Sequence, residues 1–472
     1  MSADAPSADA PSADAATDRD AAADGGELSR TVGLWDLLLL SVGGMVGSAV
    51  FYFPAFTGAW VGPAAVLAWL GAGVGMLSVA LCYTELATAF PEAGGPAVFP
   101  LETFGRRPLV RSFFGYMEGV SYSLGWTFGV AVSAWYVANY LGRIPALAGV
   151  RGHAVSFALV AIVASFAVTV AGIDVTKRTN LVLTAFILAV LVLFVAVGVG
   201  NADPANFTPF FTGDALGFFE AMGVAITAYG AWTVVPATAE EIRDPDWTIP
   251  RAIVGSLVVT TVLYTAVVVA IHGSVAPDAF TRDNPVFYAP LSGVAAAAGA
   301  SLLARYALPL AALVAIFTTM LVGMTSAARV LLAMGRRGTL PRVFATVSDR
   351  THTPWVGLLT VAVAASAVVL LRNVYGQVVL AALVGTAIPY AINVVAFVGL
   401  RYYRPDVTPT FRAPGGYLLP VVALAFLGLV VVGLGVDRPV ATTGVLLVLV
   451  LGFFVQVALP RMRAGTTVAS EE

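Results

Sequence analysis

The chain predicts an all-α membrane protein of 12 transmembrane helices, two of them broken in mid-span. Three observations carry this. Only 11% of the 472 residues are charged and 59% are hydrophobic, with a mean hydropathy of +0.88; a soluble chain carries roughly a quarter charged residues. The apolar residues come in long runs rather than amphipathic stripes, as membrane spans require. Two of the runs break at glycine. One reads Val42-Gly43-Gly44-Met45-Val46-Gly47-Ser48-Ala49-Val50-Phe51; the other, five spans on, reads Thr227-Ala228-Tyr229-Gly230-Ala231-Trp232.

In chain order, residues 1–30 come first. They repeat Ser-Ala-Asp-Ala-Pro and hold seven acids against Arg19 and Arg30. Small, acidic and broken by proline, the segment cannot bury enough apolar surface to order itself, so a disordered cytoplasmic tail is expected. It lacks the basic start and apolar core of a signal peptide. Spans follow at about 33–57, 62–90, 112–141, 154–173, 178–200, 214–239, 250–274, 303–334, 355–372, 377–402, 416–436 and 440–460. Pro277, Pro285 and Pro290 mark 276–302 as a long outer loop with room for a short helix. With both termini inside, 18 arginines and lysines fall on the inner side against 6 on the outer, leaving Arg329 within the eighth span; the positive-inside bias fixes that orientation.

Glycine inside an apolar helix weakens it and admits close approach of a ligand. Inside lipid, unwound backbone survives only against protein or a water-filled cavity. At the first break, N–H groups of the second half-helix lack intrahelical partners and sit at the positive end of a helix dipole, where a carboxylate binds. Ser48 adds a hydroxyl. Carbonyls ending the first half-helix suit an ammonium group. Close helix packing through Gly43, Gly44 and Gly47 is the competing explanation for one such cluster. A second break in the other half of the chain, bracketed by Tyr229, Gly230 and Trp232, favours a binding site.

Acids inside the membrane are functional suspects. Glu85 and Glu118 are candidate proton carriers, though each is placed to pair with a loop arginine instead. Glu220 is expected to be solvated. Glu240 and Glu241, ending the sixth span, are expected to form gate ion pairs with Arg329 or Arg106; Arg329 is the one arginine deep enough to need a partner. Tyr83, Tyr122, Trp126 and Trp135 are candidates for a substrate pathway or for packing. His153, His272 and His352 have no metal-ligand spacing, so no metal and no cofactor is expected. No phosphate-binding glycine loop supports ATP-driven pumping, and no concentrated basic patch invites nucleic acid. The single cysteine, Cys82, reads as a small buried hydrophobe, and a lone lysine, Lys177, reads as genome bias.

Five stretches carry a resemblance to a family. Glu240-Glu241-Ile242-Arg243-Asp244-Pro245 with Ile249-Pro250-Arg251 resembles the inner end of span 6 in amino-acid permeases of the amino acid–polyamine–organocation superfamily. Val42 to Phe51 is similar to that family's span-1 glycine motif. Tyr83-Thr84-Glu85-Leu86 with Pro91 to Pro96, Arg329 to Met334 with Gly338-Thr339-Leu340-Pro341, and Leu400-Arg401 through Pro405 with Phe411 to Pro414 resemble three more, in the family's order. The resemblance implies a leucine-transporter-type 5+5 inverted repeat, with repeats at 31–202 and 203–403, two further helices over 404–462 and a tail at 463–472. It implies alternating access around a midplane site. Carried over residue by residue, the substrate carboxylate meets Ser48 and the N–H groups of Gly47, Ser48 and Ala49. The amino group meets the carbonyls of Met45, Thr227 and Gly230.

Three positions depart from the family. Ala49 replaces a third glycine. Thr227 stands where several members have an aromatic gate, leaving Tyr229 or Trp232 as the lid. Ile187 stands where some members carry a lysine that serves as an internal cation.

The expected function is permease action on small neutral amino acids at the plasma membrane, both termini cytoplasmic, without enzymatic chemistry. H+ or Na+ is the coupling ion, and Thr325 and Ser326 are candidates for a sodium site facing span-1 carbonyls. A cationic amino-acid or polyamine exchanger, with Glu118 as the cation's partner, and a non-transporting receptor or scaffold are the alternatives.

Overall fold

Helix runs through each segment where hydropathy predicts a span, and it fails at the two glycine breaks. The computed structural model describes residues 32–90, 95–105, 108–172, 177–237, 242–280, 289–436 and 439–468. The predicted tail at 1–30 lies outside them, as do Glu240, Glu241 and Arg106. The α-helices are α1 Leu34–Met45, α2 Ala49–Val61, α3 Ala65–Ala89, α4 Phe99–Thr103, α5 Pro108–Leu141, α6 Ala154–Val170, α7 Lys177–Gly200, α8 Ala215–Ala228, α9 Val234–Ala237, α10 Pro245–Ser274, α11 Pro290–Ala297, α12 Leu308–Arg336, α13 Trp355–Leu370, α14 Val374–Ala382, α15 Ile388–Tyr403, α16 Leu418–Val436 and α17 Pro439–Val468. The described residues contain no strand, only one isolated parallel bridge between Val32 and Ile242.

Six described stretches are long and apolar enough to cross a bilayer: Ala49–Ala89, Leu181–Gly200, Pro245–Ser274, Leu303–Arg336, Val374–Tyr403 and Leu418–Val436. Shorter apolar helices lie between them, α1, α6, α8 and α13 included. Valines crowd the outer surface, for example Val160 and Val163 on α6, Val258 and Val262 on α10, and Val421 and Val432 on α16, all exposed. An apolar exterior of this extent suits lipid rather than water. The loop expected at 276–302 does contain a short helix, α11.

Each broken segment has a physical end signal. α1 begins behind Gly33, whose N–H donates to the Asp36 carboxylate at 3.2 Å, and ends as Val46 leaves helical geometry at ψ 57°. α8 begins at Asp214, whose carboxylate accepts the Gly217 N–H at 2.7 Å. After α8 the chain tightens into a 3₁₀ turn over Gly230–Thr233. The two segments lie side by side: α1 packs on that turn and α2 on α8. A Cβ built on Gly44 would sit 3.1 Å from the Ala231 Cβ, so the two breaks touch. The Arg243 N–H donates to Val32 O at 2.9 Å, pairing the chain just before α1 with the chain just after the second broken segment.

α5 is the central strut, in contact with α6, α12, α13 and α14. At Gly125 it crosses the π-helical turn Leu383–Ala387 that joins α14 to α15. A Cβ on Gly125 would lie 1.9 Å from the Gly385 Cα, which only glycine on both sides permits. Gly125→Ala is therefore expected to lose about 1–3 kcal/mol by overpacking, read as a lowered melting temperature in detergent. Gly428→Ala, where a new Cβ meets nothing within 4 Å, serves as the unchanged control.

Candidate functional site

The two breaks open onto one cavity, whose empty space, the part open to solvent included, is about 830 Å³. Met45, Gly47, Ser48 and Ala49 line it from the first break, and Thr227, Ala228, Gly230 and Thr233 from the second. α5 contributes Tyr122, Trp126, Gly129 and Ser133, a 4-3-4 spacing that keeps one helix face inward. Thr319 of α12, Thr386 of the π turn and Tyr390 of α15 complete the wall. Among the described residues no charged side chain lines it.

At the first break the expected free N–H groups are held locally. The Gly47 N–H donates to Met45 O at 2.6 Å and the Ser48 N–H to Thr319 Oγ1 at 3.1 Å. A Cβ on Gly47 would fall 2.6 Å from that same Thr319 oxygen, so glycine there admits the α12 hydroxyl. Ser48 Oγ lies 3.0 Å from both Tyr52 OH and Ser133 Oγ, with Tyr52 OH and Ser133 Oγ 3.3 Å apart. Three buried hydroxyls thus form a ring at one end of the cavity. The Tyr264 hydroxyl of α10 donates to Met45 O and also lies 3.2 Å from Ala228 O. One phenol therefore bridges the last carbonyls of both first half-helices.

At the second break, Thr227 Oγ1 donates to Val224 O at 2.7 Å and Thr233 Oγ1 to Gly230 O at 2.9 Å. Tyr229 and Trp232, expected as an aromatic lid, do not line the cavity. The Tyr229 hydroxyl donates to Trp69 O at 3.0 Å, and Trp232 stacks on Tyr390 at 5.8 Å and meets Tyr83 edge-on at 4.9 Å. The 3₁₀ turn puts three residues in each revolution, so Gly230 and Thr233 face inward while Trp232 faces the packed side. The aromatic wall of the cavity comes instead from Tyr122, Trp126 and Tyr390. Tyr83 lies behind that wall and Trp135 is off it.

The titratable candidates separate. Glu85 is buried and saturated: Arg401 Nε and Nη2 reach its two oxygens at 2.8 and 2.7 Å, and the Ala413 N–H donates at 2.6 Å. That clamp ties α3 to α15 and to the 413 loop. Glu118 is buried, with Oε1 accepting from Asn393 Nδ2 at 3.0 Å. Arg329, expected to be deep and in need of a partner, is exposed on α12. Glu220, expected to be solvated, is 2% exposed, because α16 presses Gly433 against the Phe219–Glu220 backbone. Thr325 and Ser326 are half-buried and off the cavity; the α12 hydroxyl that reaches the first break is Thr319, two turns earlier. No metal-competent cluster of three or more His, Cys, Asp or Glu occurs among the described residues. Cys82 is buried, as expected.

The sequence reading missed Tyr52, Ser133, Thr319 and Tyr264. Tyr52 was findable, one turn after Ser48. Tyr264 is one buried aromatic in an apolar run, and nothing local marks it.

A cavity at two paired helix breaks, inside a bundle coated with apolar side chains, defines a multi-pass membrane transporter. The chain belongs to the amino acid permease family, which matches residues 32–459, within the amino acid–polyamine–organocation superfamily; it is a transporter and not an enzyme. It is similar to the branched-chain amino acid permease BcaP of Bacillus subtilis, 30% identical over 88% of this chain and 90% of that protein. A methylthioribose transporter of the same organism is 27% identical over 84% of this chain and 86% of its own length. The chloroplastic cationic amino acid transporter 7 of Arabidopsis thaliana is 28% identical over 71% of this chain and 59% of its own.

Removing Glu85 would strand the Arg401 guanidinium and the Ala413 N–H. Glu85→Ala is expected to cost about 3–5 kcal/mol, seen as loss of folded protein on size-exclusion chromatography. Intact, fully stable protein would contradict the clamp.

Proposed function

We propose that this protein is a secondary active transporter of small neutral amino acids, working by alternating access at the paired breaks. The observation that carries this reading is the uncharged cavity wall between two ends of broken helix. A zwitterion needs both a donor-rich and an acceptor-rich end, and main-chain dipoles at helix breaks supply them without side-chain charge. The substrate carboxylate takes the Ser48 hydroxyl and the N–H groups of Gly47, Ser48 and Ala49, displacing the Met45 and Thr319 oxygens that hold two of them now. The amino group takes the carbonyls of Met45, Thr227 and Gly230. The side chain lies among Tyr122, Trp126 and Val132.

In the same reading, the chain forms 12 transmembrane helices. Repeats at 31–202 and 203–403 are inverted copies, 404–462 adds two helices, and both termini face the cytoplasm from the plasma membrane. Glu240, Glu241 and Arg329 belong to the inner gate. Support comes from the arginine and lysine asymmetry, from the contact between the breaks, and from relatives named as amino acid permeases. Relatives named as cationic amino acid transporters keep a cationic or polyamine substrate in the test, although no described acid lines the wall.

Uptake of labelled L-leucine into proteoliposomes is expected to be inhibited by alanine and isoleucine and not by arginine or putrescine. Stronger inhibition by arginine or putrescine than by alanine would reverse the substrate assignment. Ser48→Leu, which fills the carboxylate end, is expected to abolish uptake while the protein still inserts and purifies; normal uptake by that variant would show that the carboxylate end is misplaced.

A further inference from the structure

The strongest unassigned chemistry lies just outside the cavity wall. Glu118 is fully buried on α5, four residues before Tyr122 and so on the same helix face. The Asn393 amide nitrogen donates to Glu118 Oε1 at 3.0 Å and to Tyr83 OH at 3.0 Å. Both amide hydrogens are thereby used. Two buried acceptor atoms are left over, Glu118 Oε2 and Asn393 Oδ1, and among the described residues neither has a partner. These two atoms belong to the two groups that the amide–carboxyl hydrogen bond already joins.

A carboxylate only accepts hydrogen bonds, whereas a carboxylic acid also donates one. A neutral acid and a primary amide can form two parallel bonds, amide N–H to acid oxygen and acid O–H to amide oxygen. One proton on Oε2 therefore satisfies both left-over oxygens. Without it, two buried acceptors stay unpaired, each at the cost of its lost hydration. The titratable groups facing Glu118 are Tyr83 from α3, Tyr122 from its own helix and Tyr390 from α15. From α12, Met334 packs against Gly119, the residue next to Glu118. Arg401, two turns beyond Asn393 on α15, is taken by Glu85. No described cation pairs with Glu118.

We propose that Glu118 and Asn393 form an acid–amide pair that carries the coupling proton of the transport cycle. This rests on the transporter reading and assigns its ion. The O–H bond on Oε2 forms with a proton from water on one side of the membrane and breaks to water on the other. The link to the cavity is a chain of rings. Tyr83, held by Asn393, meets Trp232 at 4.9 Å and Tyr390 at 5.8 Å. Trp232 sits in the second break, and Tyr390 lines the cavity. Loss of the proton leaves a buried anion that needs water; admitting water parts α3, α5 and α15 at this cluster and frees those rings.

The test uses purified protein in liposomes with L-leucine as probe. An inward gradient of one pH unit is expected to raise wild-type accumulation about tenfold per proton carried. Glu118→Gln, whose amide N–H can replace the acid O–H toward Asn393, is expected to keep leucine–leucine counterflow within about twofold of wild type and to lose the response to the gradient. Equal stimulation of both proteins, or leucine counterflow by wild type with no response to the gradient, would overturn the proposal while leaving the transporter reading intact. If wild type moves no amino acid at all, the transporter reading fails instead. The pair is then read directly by infrared spectroscopy: a protonated-carboxyl C=O band at neutral pH, absent in Glu118→Gln and shifted in Asn393→Ala. A wild-type spectrum without that band overturns the pair.

Discussion

Backbone polar groups inside a bilayer must find partners within the protein, because lipid offers none. Two helix breaks placed in contact concentrate that demand at one spot, and the surrounding structure can be understood as the response. Tyr264 reaches from α10 to the terminal carbonyls on both sides. Thr319 reaches from α12 to the Ser48 N–H. The Val32–Ile242 bridge ties the flanking chain ends together. Each of these partners is a hydroxyl or a main-chain group. The site therefore keeps strong local dipoles without fixed charge.

Charged side chains stay off the cavity wall among the described residues, and two of the buried carboxyls, Glu85 and Glu118, have opposite surroundings. Glu85 accepts from three donors, two on the Arg401 guanidinium and one on the Ala413 main chain, in a structural clamp. Glu118 has one donor and no counter-cation among the described residues, with an unfilled acceptor beside an unfilled amide oxygen. Both look alike in sequence, as lone glutamates in apolar runs. Only the cross-helix partners, 316 residues away for Glu85 and 275 for Glu118, separate their roles.

Hydropathy and glycine placement made the helices, both breaks and their common site legible, because those signals are local in the chain. Six of the eight expected substrate contacts, Met45, Gly47, Ser48, Ala49, Thr227 and Gly230, do line the cavity. Tyr229 and Trp232 do not: Tyr229, at the end of α8, reaches Trp69 O, and the 3₁₀ turn carries Trp232 to the packed side. Thr325 and Ser326 lie off the cavity, and the α12 hydroxyl that lines it is Thr319, two turns from Ser326. Arg329, expected to need a buried partner, is exposed on α12, because hydropathy does not tell which face of a helix a residue takes. Tyr264 left no trace in sequence, since its role exists only once α10 lies across both breaks.

The central claim is that main-chain dipoles at the paired breaks hold both charged ends of a free amino acid. Binding competition against labelled L-leucine by two analogues tests it most directly: leucinol, which lacks the carboxylate, and 4-methylpentanoate, which lacks the amine. The account predicts that neither competes at concentrations where leucine does. Competition by either analogue equal to that of leucine would contradict it.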